Sequence, residues 1–239
     1  MTQETLVEET ERLVRRQVRS PHSAAIAGIV FSLLIAASMV LLYSNVLANP
    51  ADVGSEWLES WSSAATVVLV LVPFAGIAFL WFTGVIRDLV GEREDRFFAT
   101  VFFGSGIILV VMMYTWAAAV GAILSTHAAA AHMQIDLDVY IFGLTFMDQI
   151  IGNYFMRMAA VYMLSIGSLW TRAEVVPRWL TLVTYGVGLS FLLFASILRW
   201  ARFIFPAWVL VVSIYILVMN YRSTQDKEGS EEASLEPSS

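Results

Sequence analysis

Apolar residues run along this chain in long blocks separated by short polar intervals, without the two-residue alternation of a half-buried strand. A helix needs about 20 mostly apolar residues to cross ~30 Å of hydrocarbon. Six blocks are of that order: residues 24–47, 63–86, 97–125, 140–170, 179–198 and 203–220. The pattern predicts an all-α fold, a polytopic transmembrane bundle of six helices in one domain over residues 21–222. The lack of alternation argues against a lipid-facing barrel. Ser20 as N-cap and Pro21 at the first helical position mark where the first helix starts.

The polar intervals set an orientation, because basic residues concentrate on the cytoplasmic side. Arg12, Arg15, Arg16 and Arg19 precede span one, and Arg87, Arg93 and Arg96 separate spans two and three. Arg172 and Arg178 separate four and five, while Arg222 and Lys227 follow six. These eleven basic residues place both termini in the cytoplasm, in a bacterial inner (plasma) membrane. Arg199 and Arg202 are the exceptions, in the tight external turn between spans five and six. Trp57, Trp61, Tyr140 and Trp200 are expected at the outer interface, and Trp81, Trp170, Trp179 and Tyr221 at the inner one.

Outside the spans, residues 1–20 read as a cytoplasmic amphipathic helix. Glu8–Arg12 and Glu11–Arg15 are i,i+4 pairs, and Leu6, Val7, Leu13, Val14 and Val18 form an apolar stripe. That helix either rests on the inner leaflet or extends span one into solvent. Val46 and Ala48 would satisfy a cleavage rule, but the apolar stretch is too long and its leader too acidic for a signal peptide. Residues 223–239 are rich in Ser and Glu and are expected to form a disordered acidic cytoplasmic tail.

Composition agrees with a membrane protein. Hydrophobic residues make up 58% of the 239, charged residues 14%, and the mean hydropathy is +0.71. Soluble domains carry about a quarter charged residues, so a cytosolic globule, a disordered chain and a nucleic-acid binder are all excluded. There is no cysteine, hence no disulfide, thiolate metal site or cysteine nucleophile. The only lysine is Lys227, outside the spans, which excludes an intramembrane Schiff base. No cofactor is implied. The net charge of −6 reflects polar ends more than a binding surface: Asp226, Glu228, Glu231, Glu232 and Glu236 lie after Arg222.

Span four departs from plain hydrophobicity. Gln149, Asn153 and Arg157 recur every four residues along one helical stripe, extended outward by Thr145. Arg157 lies about 13 residues, roughly 20 Å, from Trp170, too far for its side chain to reach the interface. A cation at that depth costs at least ~2.5–3.5 kcal/mol if isolated. No Asp or Glu in the other spans stands at the same depth. The remaining acceptors are neutral, among them Ser38, Tyr114, Thr115, Tyr185, Ser190 and Ser213. Arg157 therefore either ties helices together through such groups or anchors an anion or lipid headgroup in an outward-facing pocket, with Asn153 and Gln149 orienting it. A permeation or voltage-linked role is a third reading. Arg199 and Arg202 add positive charge at the outer mouth. Asp148 is expected to pair with one of them near the outer surface rather than to carry protons.

Other motifs carry less. His127, His132, Asp136 and Asp138 cluster in the external segment between spans three and four, without recognised zinc spacing, and no metal site is expected. Phe103-Gly104-Ser105-Gly106 resembles the end of an intramembrane serine-protease motif but has phenylalanine where the first glycine is required. Ala117, Gly121 and Ser125 in span three and Thr184 and Gly188 in span five are spaced for close helix packing.

Residues 24–29 (Ala-Ala-Ile-Ala-Gly-Ile), residues 170–180 joining spans four and five, and thirteen arginines to one lysine resemble uncharacterised six-helix membrane-protein families of high-GC bacteria. The resemblance implies the six-helix fold and supplies no activity. An enzyme has no positive support. The expected partners are the lipid bilayer and a small anionic molecule or lipid headgroup, with transport or plain binding both open. A structural or assembly partner protein is the alternative, and a homo-oligomer is compatible with either.

Overall fold

The computed structural model describes residues 21–46, 55–90, 96–130, 137–173, 176–194 and 199–235, and these are helical throughout apart from a short bend before Arg178. In chain order, α1 is Pro21–Val46, α2 Ser55–Val90 and α3 Arg96–Ala130. The fourth rod, α4, is built from Leu137–Gln149, a π-helical stretch Ile150–Phe155, and Met156–Ala173. Then follow α5, Arg178–Phe194, a 3₁₀ turn Arg199–Phe203, and α6, Ile204–Leu235. Pro21 opens α1, and Pro206 sits in the first turn of α6, where a missing N–H is harmless.

Four of these helices are long and apolar enough to cross a membrane: His22–Ser44, Trp61–Asp88, Phe97–Thr126 and Ala201–Met219. The chain is thus membrane-embedded. The other two expected spans fall short for separate reasons. Apolar α5 has 17 residues, about 25 Å at 1.5 Å per residue. The apolar run of α4 is interrupted by its π stretch and by polar side chains. At the other end, α6 continues to Leu235, through residues expected to be disordered. A span already formed removes the nucleation cost, and Gln, Lys, Glu and Ala propagate a helix readily. The amphipathic segment 1–20, together with His132 and Asp136, lies outside the described residues.

Among the first five helices, each packs on the next in sequence. α1 packs on α2, α2 on α3, α3 on α4 and α4 on α5, while α6 returns to lie against α1. Close approach of α1 and α6 depends on Gly28. A Cβ there would collide with Ser213 Oγ and come within 2.7 Å of Phe82. Gly76 of α2 likewise lies under the Tyr114 ring of α3, whose hydroxyl donates to the Pro73 carbonyl at 3.2 Å.

Between α6 and α4 the spacing is set by rings. Phe205 of α6 lies 5.9 Å from Phe79, 6.1 Å from Tyr162 and 5.6 Å from Phe155, centroid to centroid. Tyr162 also meets Phe102 at 4.6 Å, and its hydroxyl bonds Thr83 Oγ1 at 3.0 Å. Large buried aromatics thus fill the axis of the bundle. Two tryptophans expected at the interfaces belong to this interior: Trp61 and Trp170 are buried, the latter 6.0 Å from Trp208. Trp81, Trp179 and Tyr221 are exposed.

Candidate functional site

The polar residues of α4 gather around its π stretch. Gln149 and Met156, which bracket it, both have ordinary right-handed helical backbone, so the rod is widened and not broken. Such wide turns are rare and are found often at functional sites. Their effect here is to present two polar faces side by side.

The first face carries Asp148. Its Oδ1 receives Arg202 Nη2 at 3.0 Å, joining α4 to the 3₁₀ turn before α6. The Arg202 side chain is only 6% exposed while that of Asp148 is 42% exposed, so the cation is the deeper partner. Arg202 Cζ also lies 4.1 Å above the Tyr43 ring of α1, a cation–π contact that substitutes for lost hydration. Gly152 sets bare backbone beside the pair, with its Cβ position 3.9 Å from both charged groups. Of the two arginines expected as partners of Asp148, Arg202 is paired with it. The Arg199 side chain lies outside the described residues, as does that of His127.

The second face is the stripe. Asn153 Nδ2 donates to Gln149 Oε1 at 3.5 Å, and Arg157 Nη1 donates to the Asn153 carbonyl at 3.3 Å. That carbonyl also accepts the Met156 N–H where the π stretch gives way to α-helix. Arg157 thus folds back onto its own helix. Among the described residues no carboxylate lies within ion-pair distance of it. None of the hydroxyls expected as acceptors is a hydrogen-bond partner of Arg157, and each donates its own proton to a backbone carbonyl: Ser38 to Leu34, Thr115 to Val111, Ser190 to Gly186 and Ser213 to Val209. Tyr114 bonds Pro73 and Tyr185 bonds Ser168. Gln149 is exposed, Arg157 half-buried, and Asn153 Oδ1 is buried with no hydrogen-bond partner.

In charge terms the faces differ. Arg202 and Asp148 neutralise one another, and the Arg157 guanidinium keeps its positive charge. Backbone carbonyls and amides soften such a charge without cancelling it. The remaining motifs show no comparable chemistry. Ser105 donates to the Phe102 carbonyl at 2.9 Å, and no metal-binding group of His, Asp and Glu occurs among the described residues.

Sequence reasoning placed the stripe and the acid correctly on α4 but missed Tyr43 and the π stretch. The signal for Tyr43 was available in principle, since it stands at the C-terminal end of span one, level with the turn holding Arg202. Comparison with protein-family models, characterised proteins and solved structures finds no match for the chain.

Proposed function

We propose that this is a six-pass membrane protein, with both termini on the basic, cytoplasmic side, that binds a small anionic or amphiphilic molecule at the α4 stripe. Arg157 is the charge anchor; Asn153 and Gln149 orient the ligand. One observation carries the reading: of the two arginines drawn to α4, Arg202 has its carboxylate and Arg157 has none among the described residues. An unneutralised guanidinium at the middle of a membrane helix is costly unless something anionic or wet meets it. Support for reading α4 and α5 as the other two crossings is that they pack along each other with only four residues between Ala173 and Arg178.

The test is thermal unfolding of the purified protein in detergent, with and without dodecyl phosphate or inorganic phosphate. The wild type gains stability from one of these anions. Arg157→Met starts from equal or higher stability and loses the response. A second reading, a structural or assembly protein, is supported by the hydrogen bonds that the stripe makes within itself. It predicts that neither anion stabilises either protein and that Arg157→Met is destabilised throughout.

A further inference from the structure

The outer half of α4 is unusually bare. Ile141, Phe142, Thr145, Phe146 and Gln149 are all exposed and lie on one face, about 140° wide at 100° per residue, while Met147 and Ile150 on the opposite side are buried. The polar stripe therefore runs along an outer face of the bundle, bordered by apolar rings. Phe142 and Phe146 stack at 6.2 Å with 13° between their planes, and Tyr154 is 58% exposed next to Asn153. A site for a water-soluble anion would be walled by protein on both sides. This one opens sideways, where the medium is hydrocarbon.

The donor and acceptor pattern narrows the ligand. Arg157 offers N–H donors suited to a phosphate. Asn153 Oδ1, buried without a partner, needs a donor in return, and its soft terminal torsion can turn it toward one. Gln149 supplies a further exposed amide. Resting on the anion-site reading above, we infer that the occupant is a membrane phospholipid with a donor-bearing headgroup. Its phosphate pairs with Arg157, its headgroup hydroxyl or ammonium bonds Asn153, and its acyl chains lie along Phe142, Phe146 and Tyr154. Thr145, Gln149 and Asn153 form the polar steps by which the headgroup descends from the outer leaflet. Val161 takes the next four-residue step and Ser165 after it is buried with its hydroxyl on the Val161 carbonyl, so the steps stop at Arg157.

Native mass spectrometry of the full-length protein, titrated with phosphatidylglycerol, phosphatidylethanolamine and phosphatidylcholine, tests this. Phosphatidylcholine has the phosphate but no headgroup donor. The wild type should retain the first two about tenfold more tightly, the worth of one charge-assisted contact of roughly 1.4 kcal/mol. Asn153→Leu should cut that preference below about twofold while phosphate-dependent binding persists, and Arg157→Met should weaken all three lipids. The wild-type titration needs no variant to fold. Equal retention of all three lipids by the wild type overturns the donor-bearing headgroup. Stabilisation by sn-glycerol 3-phosphate as strong as that by the lipids overturns the lipid assignment and leaves an anion site standing. Lipid retention unchanged in Arg157→Met overturns the lipid assignment, and an unchanged response to soluble phosphate in that variant removes the anion site as well.

Discussion

Arg202 and Asp148, 54 residues apart in sequence, meet at 3.0 Å with the Tyr43 ring lying 4.1 Å beneath the guanidinium. Three separate elements are fastened at one point, and the two partners are unequally placed. Removing the acid strands a buried cation, whereas removing the arginine leaves an acid that already reaches the surroundings. Asp148→Ala should therefore cost more than Arg202→Met. Fully buried pairs lose about 3–5 kcal/mol on breakage, and the exposure of Asp148 brings the expectation down to about 2–3 kcal/mol. The double variant Arg202→Met/Asp148→Leu should recover most of it. A double-mutant cycle by thermal unfolding in detergent reads the difference, and equal losses from the two single variants would contradict the unequal placement.

Trp208 Nε1 of α6 donates to Thr184 Oγ1 of α5 at 2.9 Å, and Thr184 passes its own proton to the Leu180 carbonyl at 2.8 Å. Both residues are buried. Thr184→Val keeps the shape but deprives the indole of its acceptor, at about 1–3 kcal/mol. Because α5 packs chiefly on α4, the loss should loosen α5 before the rest. Hydrogen exchange should accelerate along α5 while α1 and α2 hold their protection.

At Gly28 an added methyl meets Ser213 and Phe82. Gly28→Ala should destabilise by about 1–3 kcal/mol, the usual range for overfilling a packed interior. Gly84→Ala and Gly186→Ala have no atom within 4 Å of the new carbon and serve as controls. Those two should be neutral or slightly stabilising, since alanine is favoured over glycine in helices by up to ~1 kcal/mol. A melting temperature for each variant settles the ranking.

Much of this was legible from the chain. Long apolar blocks force helices because hydrocarbon offers the backbone no partner, so every span leaves a compositional mark. The acid–arginine pair was legible because an acid at the end of an apolar block stands level with the arginines of the turn between spans five and six, and opposite charges brought together there pair. For Trp61 and Trp170 the chain shows a place near the end of a span, but not that their faces of the helices turn inward. The π stretch leaves almost no trace in the letters. Ile150–Phe155 contains no proline, its one polar residue Asn153 continues a four-residue spacing that suits a regular helix, and only the hydrogen-bond register slips.

Tyr162 stands where four helices converge, buried, with its ring against Phe79, Phe102 and Phe205 and its hydroxyl on Thr83. Two substitutions separate these contributions. Tyr162→Phe removes only the hydroxyl and should cost about 1–2 kcal/mol. Tyr162→Ala empties the centre of the bundle and should cost about 3–5 kcal/mol. Chemical denaturation in mixed micelles gives both values, and a ratio near one would mean that the ring contributes little.

The widened turn of α4 has a mechanical side. A π stretch accommodates a surplus residue relative to an α-helix of the same rise. Excising one residue, Gly152 for instance, would let the backbone relax to regular winding. The segments on either side would keep their rotational settings, because the surplus residue is taken up entirely within the widened turn, and Asp148 would still meet Arg202. The same excision in regular winding, one turn away, would instead rotate one segment by about 100° against the other and pull that pair apart. The widened turn is thus the one place along α4 where the chain can lose a peptide and keep both of its halves seated.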